Sequence, residues 1–560
     1  MWTSGLSHPP FKRVIAGSNP AIATIGLKLI RIAQYFTKGR NNTMANKTLF
    51  ASLRDALIPQ TDTVNSENAP AYGLAPKQAL AQYAATGCFA RTFYAAADEQ
   101  LTRVLELCDA VDVEFVARVA IYSRMQSFMK DMPALLCAWL SGRDARLHER
   151  AFARVIDNAR MLRTYVQILR SGVVGRKSLG SAPKRLVREW LASRDEEALF
   201  SASAGQSPSL SDIVKMVHPK PAGETRKAFY GYMLGRSYNA NALPKLVMQF
   251  EQFKAGESQD VPDLPFMLLS ALPLTRDAWV SVAKNASWQT TRMNLNTFAR
   301  HGVFDTAEMT SLIAARLRDP GEVRRARVFP YQLLTAYQNC DTAVPMDVRN
   351  ALQDAMELAT ANVPSIEGRV VVCPDVSSSM RSPVTGRRAG STTTVRCVDV
   401  AGLVAASVLR KNPSATVLPF DDQVQPVDLN SRDSVMTNTG RLASIGGGGT
   451  NCSAPVRLLN KQKANADLIL FVSDNESWVD QGRGRGTALL AEWSEFRHRN
   501  PKARLVCLDV QPNRTTQAAE REDVLNIGGF SDQVFEVISA FASGQLEADH
   551  WIARIEAVEL

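Results

Sequence analysis

This 560-residue sequence predicts a helical N-terminal region followed by an α/β domain built on a parallel sheet. Two observations predict it. From Lys77 to Thr360, apolar residues recur at helical spacing, with short breaks and no strand-like runs. From Ile366 onward, short apolar runs alternate with helix-like stretches, the pattern of buried parallel strands with crossover helices.

In chain order, residues 1–43 come first. They carry six bases (Lys12, Arg13, Lys28, Arg31, Lys38, Arg40) and no acid. A mitochondrial presequence has that bias. A secretory signal does not fit, because Lys28 and Arg31 interrupt the only apolar stretch. Gly17-Ser18-Asn19-Pro20 is also what the T-arm of a tRNA gene encodes, and Met44 opens an ordinary start, so translation is expected to begin at Met44. Residues 1–43 are therefore expected to be untranslated or a disordered basic tail, residues 44–365 a helical-repeat domain and residues 366–560 the α/β domain.

Within the helical part, Asp98 is expected to cap a helix with Leu101, Val104, Leu105 and Cys108 on one face. Val113–Gln126, Pro133–Leu140, Leu147–Leu169, Pro183–Ala192, Leu243–Phe253 and Thr306–Arg318 read likewise, and the Ser-, Gly- and Pro-rich stretch Ser201–Ser211 reads as a loop. Many short helices without strands suggest a helical-repeat solenoid. In the α/β part the strands are Arg369–Pro374, Thr416–Phe420, Ala466–Val472 and Ala503–Val510, and the helices Val400–Arg410 and Asp532–Phe541. This is a doubly wound, Rossmann-like arrangement, whose ligands sit at the carboxyl ends of the strands.

Composition excludes several classes. There is no uncharged apolar run of about 18 residues, so no membrane-spanning helix is expected. The cysteines form no C-x-x-C pair and no paired His spacing, which argues against a zinc site and a disulfide framework. Cys137, Cys373 and Cys507 read as small core residues, and the compartment as reducing, hence cytoplasmic. No G-x-x-x-x-G-K-[ST] is present, Asp375 lies in no D-x-D of the aspartyl-phosphate kind, and no His accompanies a nucleophile motif, so no enzyme is expected.

Net charge is +10, from 65 basic and 55 acidic residues, but it is uneven. Residues 141–250 alone carry +10, with 19 bases and 9 acids, while 366–560 carry −2. In that block Lys184 and Arg188 share one helix face with Arg185 adjacent, and Arg176, Lys177, Lys215, Lys220, Arg226 and Lys227 fall in or beside predicted loops. A phosphate footprint and an ordinary solvated face weigh about equally on these residues alone. Arg292, Arg300, Asn294 and Asn296 are further candidates, with inter-helix contacts as the alternative. Phe229, Tyr230 and Tyr232 could stack on bases, but beside Met233 and Leu234 they read more naturally as core.

Three features fall at predicted strand ends. Asp375-Val376-Ser377-Ser378-Ser379 follows the first strand, Thr450 follows the run Gly446–Gly449, and Ser473-Asp474 follows the strand Ala466–Val472. Two carboxylates and three hydroxyls on three loops suit a hard divalent cation such as Mg²⁺. Ser377, Ser379 and Thr450 would ligate it directly, and Asp375 and Asp474 would hold its waters and supply charge. Singly, each piece has a bland reading, as a helix cap or a flexible loop; their coincidence does not.

Asp375, Ser377, Ser379, Thr450 and Asp474 resemble the metal-ion-dependent adhesion site of von Willebrand factor A domains. The stretch from Ser211 to Pro221, SDIVKMVHPKP, resembles the one found in TROVE modules. A TROVE module followed by a von Willebrand A domain is the architecture of the Ro autoantigen family, which the chain resembles over roughly residues 46–555. The resemblance implies a monomeric ring of HEAT-like repeats closed by the A domain. It implies that Y RNAs bind the outer surface and that single-stranded 3′ ends of misfolded small non-coding RNAs enter the hole, in RNA quality control and stress survival. It implies partnership with an exoribonuclease such as polynucleotide phosphorylase. Lys184, Arg185, Arg188, Lys215, His218 and Lys220 are then the expected RNA-binding residues, His218 by its match to the family's motif. A helix-capping histidine is its other reading, and both hold together. The competing reading of the whole is a metal-dependent protein-binding adhesion module on a helical scaffold.

Overall fold

The computed structural model describes residues 58–86, 97–205, 207–326, 328, 330–360, 363–384, 395–479, 486–511, 514–529, 532–545 and 550–560. The expectations for residues 1–43 and for Met44 lie outside the described residues.

Between Pro76 and Ala359 the described regular elements are helices, with two short 3₁₀ turns among them. Their ends follow local chemistry. Asp112 caps Val113–Met125 by accepting from the Phe115 N–H, and Thr306 caps Ala307–Arg318 by accepting from Met309. Asp98, expected ahead of the helix, lies in the first turn of Ala97–Ala110. The stretch expected as one helix from Leu147 to Leu169 is two, Ala145–Val155 and Ala159–Ser171. Asn158 restarts the chain by accepting from the Met161 N–H, and an amphipathic period does not register such a break. The loop expected over Ser201–Ser211 is shorter, because Glu196–Ala202 and Leu210–Val217 enter it from both sides. Ser209 and Asp212 form a capping box there.

The strands, in chain order, are β1 (Thr63–Val64), β2 (Pro70–Gly73), β3 (Val370–Pro374), β4 (Thr416–Val417), β5 (Leu468–Ser473), β6 (Arg504–Asp509), β7 (Thr515–Thr516) and β8 (Val524–Gly528). Five of them form the parallel sheet of the α/β part, in the order β4-β3-β5-β6-β8. In β3, β5 and β8 every residue is buried, as two-sided coverage requires. The helix Cys397–Lys411 covers one face with thirteen buried residues. Trp493 and Phe496 stack beneath the other, inside a second apolar cluster with Phe420 and Phe471. Each such side chain fully removed from water contributes about 1.5–3 kcal/mol.

The other three strands have no counterpart in the sequence pattern. β1 and β2 form a small sheet with β7, pairing Tyr72 with Thr516. The beginning of the described chain thus belongs structurally to the α/β domain.

The helical array meets that domain at both its ends. At the first, Lys77 bridges Asp112 and Glu556, and Arg118 donates to the carbonyls of Glu556 and Val558. At the last, Glu357 takes the Val435 N–H at 2.7 Å and pairs with Arg410 at 3.3 Å. Among the described residues, no helix is long and apolar enough to cross a membrane.

Candidate metal and nucleic-acid sites

The parallel sheet delivers two of the expected loops to the carboxyl ends of its strands, after β3 and β5; the third, Gly446–Thr450, expected at a strand end, instead joins the helices Val435–Ala443 and Ser453–Lys461. Asp375 follows β3, which lies between β4 and β5, so its backbone N–H donates to Val472 O and the Val376 N–H to Phe420 O. Asp375, Ser377, Ser379 and Asp474 are joined there by hydrogen bonds, and Thr450 ends the glycine loop beside them, its carbonyl accepting from Ser477 of the Asp474 loop. Asp375, Ser377, Ser379, Thr450 and Asp474 are each at most 4 % exposed. Ser377 Oγ lies 3.2 Å from Ser379 Oγ, and Asp375 accepts from the Ser377 N–H at 2.8 Å and from Ser473 Oγ at 2.5 Å. Ser379 in turn hydrogen-bonds Asp474.

The glycine run is required by contact rather than by flexibility. Gly446 has φ +72°, and a Cβ there would stand 2.4 Å from Val376 Cγ2. The Gly447 N–H donates to Val376 O, and the Ser378 N–H to Gly448 O, so this loop is sewn to the Asp375 loop. Asp421 and Asp422, just beyond the end of β4, accept from the N–H groups of Gly448 and Gly449. Sequence reasoning missed this pair, although its place directly after a predicted strand is a signal that could have found it.

Electrostatics supports the donor set. Burial pushes both the Asp375 and Asp474 carboxyls above the usual carboxylate range, and the Asp474 charge pushes Asp375 further. Hydrogen bonds from Ser377 and Ser473 pull Asp375 the other way. Glu476 is a third buried acid nearby. Burial, then the Asp474 charge, push it up to about 8 against the donors of Ser66. Among the described residues no three His, Cys, Asp or Glu side chains gather as metal ligands. Two desolvated carboxylates with three hydroxyls instead fit a hard cation that keeps some of its waters. Its charge would offset what burial now disfavours.

The basic block sorts into two kinds of residue. Arg226, expected beside a loop, lies within the helix Glu224–Leu234 and is buried; it pairs with Glu196 at 2.7 Å and donates to Leu191 O and Arg194 O. Phe229 and Tyr230 are buried in the core. Arg176 donates to Ser141 O, and Arg292 to Gln332 O, so both tie segments together. Arg185 is exposed but bridges Glu149 and Glu189.

The remaining candidates share a surface. Lys184 is half-buried, and Arg188 is exposed on the same helix, Ser181–Ala192. Arg188 Nε donates to Val217 O at 2.5 Å, which holds the end of the helix Leu210–Val217. His218 is that helix's C-cap, in the left-handed region at φ +48°, exposed, with its N–H on Val214 O. Lys215 and Lys220 flank it, both exposed. Pro219 and Pro221 stiffen the exit from the helix. Arg188, Lys215, His218 and Lys220 therefore form one basic knuckle, with Lys184 a turn away.

Known proteins resemble the chain in both of its parts. Residues 369–542 match the family described as the Ro60 vWA domain. The RNA-binding protein RO60 of Deinococcus radiodurans is 25% identical over 557 residues, spanning 89% of this chain and 100% of that protein. The RNA-binding protein RO60 of Caenorhabditis elegans is 21% identical over 256 residues, 44% of this chain and 38% of that protein. The crystal structure of the Deinococcus radiodurans RO (RSR) protein superposes with a TM-score of 0.58 at 22% identity, over 84% of this chain and 100% of that one.

Proposed function

We propose that this chain, which belongs to the Ro60 family, is an RNA-binding ribonucleoprotein core rather than an enzyme. The observation that carries this reading is the exposed knuckle of Arg188, Lys215, His218 and Lys220. Arg143, Arg163, Arg176, Arg185, Arg194 and Arg226 of the same block are engaged by carbonyls or carboxylates, and Arg188 by the Val217 carbonyl, whereas Lys215 and Lys220 present their charge to solvent on either side of His218. The finer reading is that the knuckle takes the phosphates of structured Y RNAs, and that 3′ single-stranded ends of misfolded small RNAs are a second class of ligand. An exoribonuclease of the polynucleotide phosphorylase class is the natural consumer of such ends. The test is binding of a hairpin RNA with a single-stranded 3′ tail across a salt series. A phosphate-dominated interface loses affinity steeply as salt rises and is indifferent to chelation.

The α/β domain in this reading holds one divalent cation, Mg²⁺ by its oxygen donors. Ser377, Ser379 and Thr450 would contact it, and Asp375 and Asp474 would orient its waters. When bound, the cation supplies a positive, incompletely ligated centre able to take an anionic oxygen.

A second reading is favoured by one observation at that site. Trp478 and Val479 are 40% and 38% exposed, and their N–H groups both donate to Thr450 O. An exposed aromatic locked beside the cation loop suits a protein partner that completes the cation with a carboxylate. Binding of that kind disappears with a chelator, whereas RNA binding at the knuckle persists.

A further inference from the structure

We propose that Asn65 is a positioning residue of the divalent-cation site, and that the β1–β2 hairpin is part of that site. The proposal rests on the cation reading above and goes beyond its ligands.

Asn65 is 5% exposed and uses both ends of its amide. Oδ1 accepts from the N–H groups of Glu67 and Ala69, at 3.1 and 2.9 Å, which fixes the turn between β1 and β2. Nδ2 donates to Ser477 O at 2.6 Å, across 412 residues of sequence. Ser477 stands between two ligand loops. Its hydroxyl accepts from the Cys452 N–H at 3.0 Å and donates to Thr450 O at 3.3 Å.

The next residue repeats the tie. Ser66 gives its N–H and hydroxyl to the Glu476 carboxylate, at 2.8 and 3.2 Å. The Glu476 N–H faces Asp474 Oδ1 at 3.4 Å. A third bond, Asn475 Nδ2 to Thr516 Oγ1 at 3.0 Å, joins the same segment to β7, the strand that pairs with β2. Asn475, Glu476 and Ser477 are thus all held by the small sheet or its turn, directly after Asp474, which would orient the cation's waters.

Mg²⁺ demands near-octahedral ligand geometry, and the groups behind the ligands set it. Loss of such a group typically weakens metal binding by about ten- to hundred-fold. In this set, Asn65 is the residue whose one side chain both shapes the hairpin and grips the ligand loop.

The experiment is calorimetric titration of the full chain with Mg²⁺ alone, with the melting temperature measured with and without Mg²⁺. Four proteins are compared: wild type, Asp375→Ala, Asn65→Ala and Asn65→Asp. Asn65→Asp keeps the acceptor that shapes the turn and removes the donor to Ser477, so it separates the tie from the turn even if Asn65→Ala folds poorly. The expected result is a Mg²⁺ affinity about ten- to hundred-fold weaker in both Asn65 variants. The Mg²⁺-induced rise in melting temperature shrinks with it, while the metal-free transition of Asn65→Asp stays cooperative, at a lower temperature because the new carboxylate faces the Ser477 carbonyl. Wild-type Mg²⁺ affinity in Asn65→Asp overturns the proposal while leaving the cation reading intact. Absence of binding in wild type itself overturns both.

Discussion

Ser473 Oγ donates to Asp375 Oδ2 at 2.5 Å, linking the ends of two adjacent parallel strands through one hydroxyl. The same hydroxyl accepts from the Asn475 N–H at 2.9 Å, so it fixes the start of the Asp474 loop as well. Ser473→Ala removes both bonds without adding bulk. Mg²⁺ affinity is expected to fall by about ten-fold or more. Calorimetric titration checks this, and Ser473→Thr, which keeps the hydroxyl, should recover most of the loss.

Gly446 is a point of close approach. Its left-handed φ, and the 2.4 Å at which any Cβ would stand from Val376 Cγ2, leave no room for a side chain. Gly446→Ala should destabilise the α/β domain by roughly 1–3 kcal/mol, from backbone strain and overpacking together. Thermal denaturation followed by near-ultraviolet circular dichroism reads the shift. Gly440→Ala, within a helix and with open space around its Cβ, is the control and should leave the transition unchanged or slightly raised.

His148 gives the helical region a pH dependence of defined sign. It is 1% exposed, hydrogen-bonded to Tyr165 at 2.7 Å and stacked on its ring. Burial, then the charge of Arg176, push its pKa down from 6.5 to about 4. The unfolded chain therefore takes up a proton that the folded chain refuses. Its full contribution to stability is present above the unfolded value and is lost as pH falls from about 6.5 toward 4, by on the order of 3 kcal/mol in total. The melting temperature of wild type should fall over that interval. The fall should be shallower in His148→Phe, and an identical pH profile in the two proteins would contradict the assignment.

The grouping of Asp375, Ser377, Ser379 and Asp474 was legible because these residues stand just after apolar runs that form buried strands; the loop of Thr450 was marked only by its glycines and joins two helices. β3 and β5 were found for the same reason. β8 was not, since Val524–Gly528 carries Asn526 within a short run preceded by charges. The break at residues 156–158 was hidden because helical periodicity continues across it. Asn65 could not be found at all: its partner Ser477 lies 412 residues away, and no local pattern encodes that contact. The basic block was visible as a charge count. The count does not separate Arg226, which is buried against Glu196, from Lys220, which faces solvent; only three-dimensional pairing does so.

In the proposed function, the knuckle beside His218 binds RNA through phosphate contacts. Lys184→Glu with Arg188→Glu would test it, but Arg188 also holds Val217 O, so that pair mixes binding with structure. Lys215→Glu with Lys220→Glu changes two exposed side chains for which no hydrogen bond or ion pair to another segment is seen among the described residues, at the small cost of an acid in the last turn of Leu210–Val217. The decisive measurement is the affinity of the full chain for a hairpin RNA with a single-stranded 3′ tail, in wild type and in that double variant, as salt is varied. Phosphate binding at the knuckle predicts a linear fall of log affinity with log salt in wild type, with weaker binding and a slope smaller by roughly 1–2 in the variant. Equal affinity and equal slope in the two proteins, or no RNA binding by wild type, would contradict it.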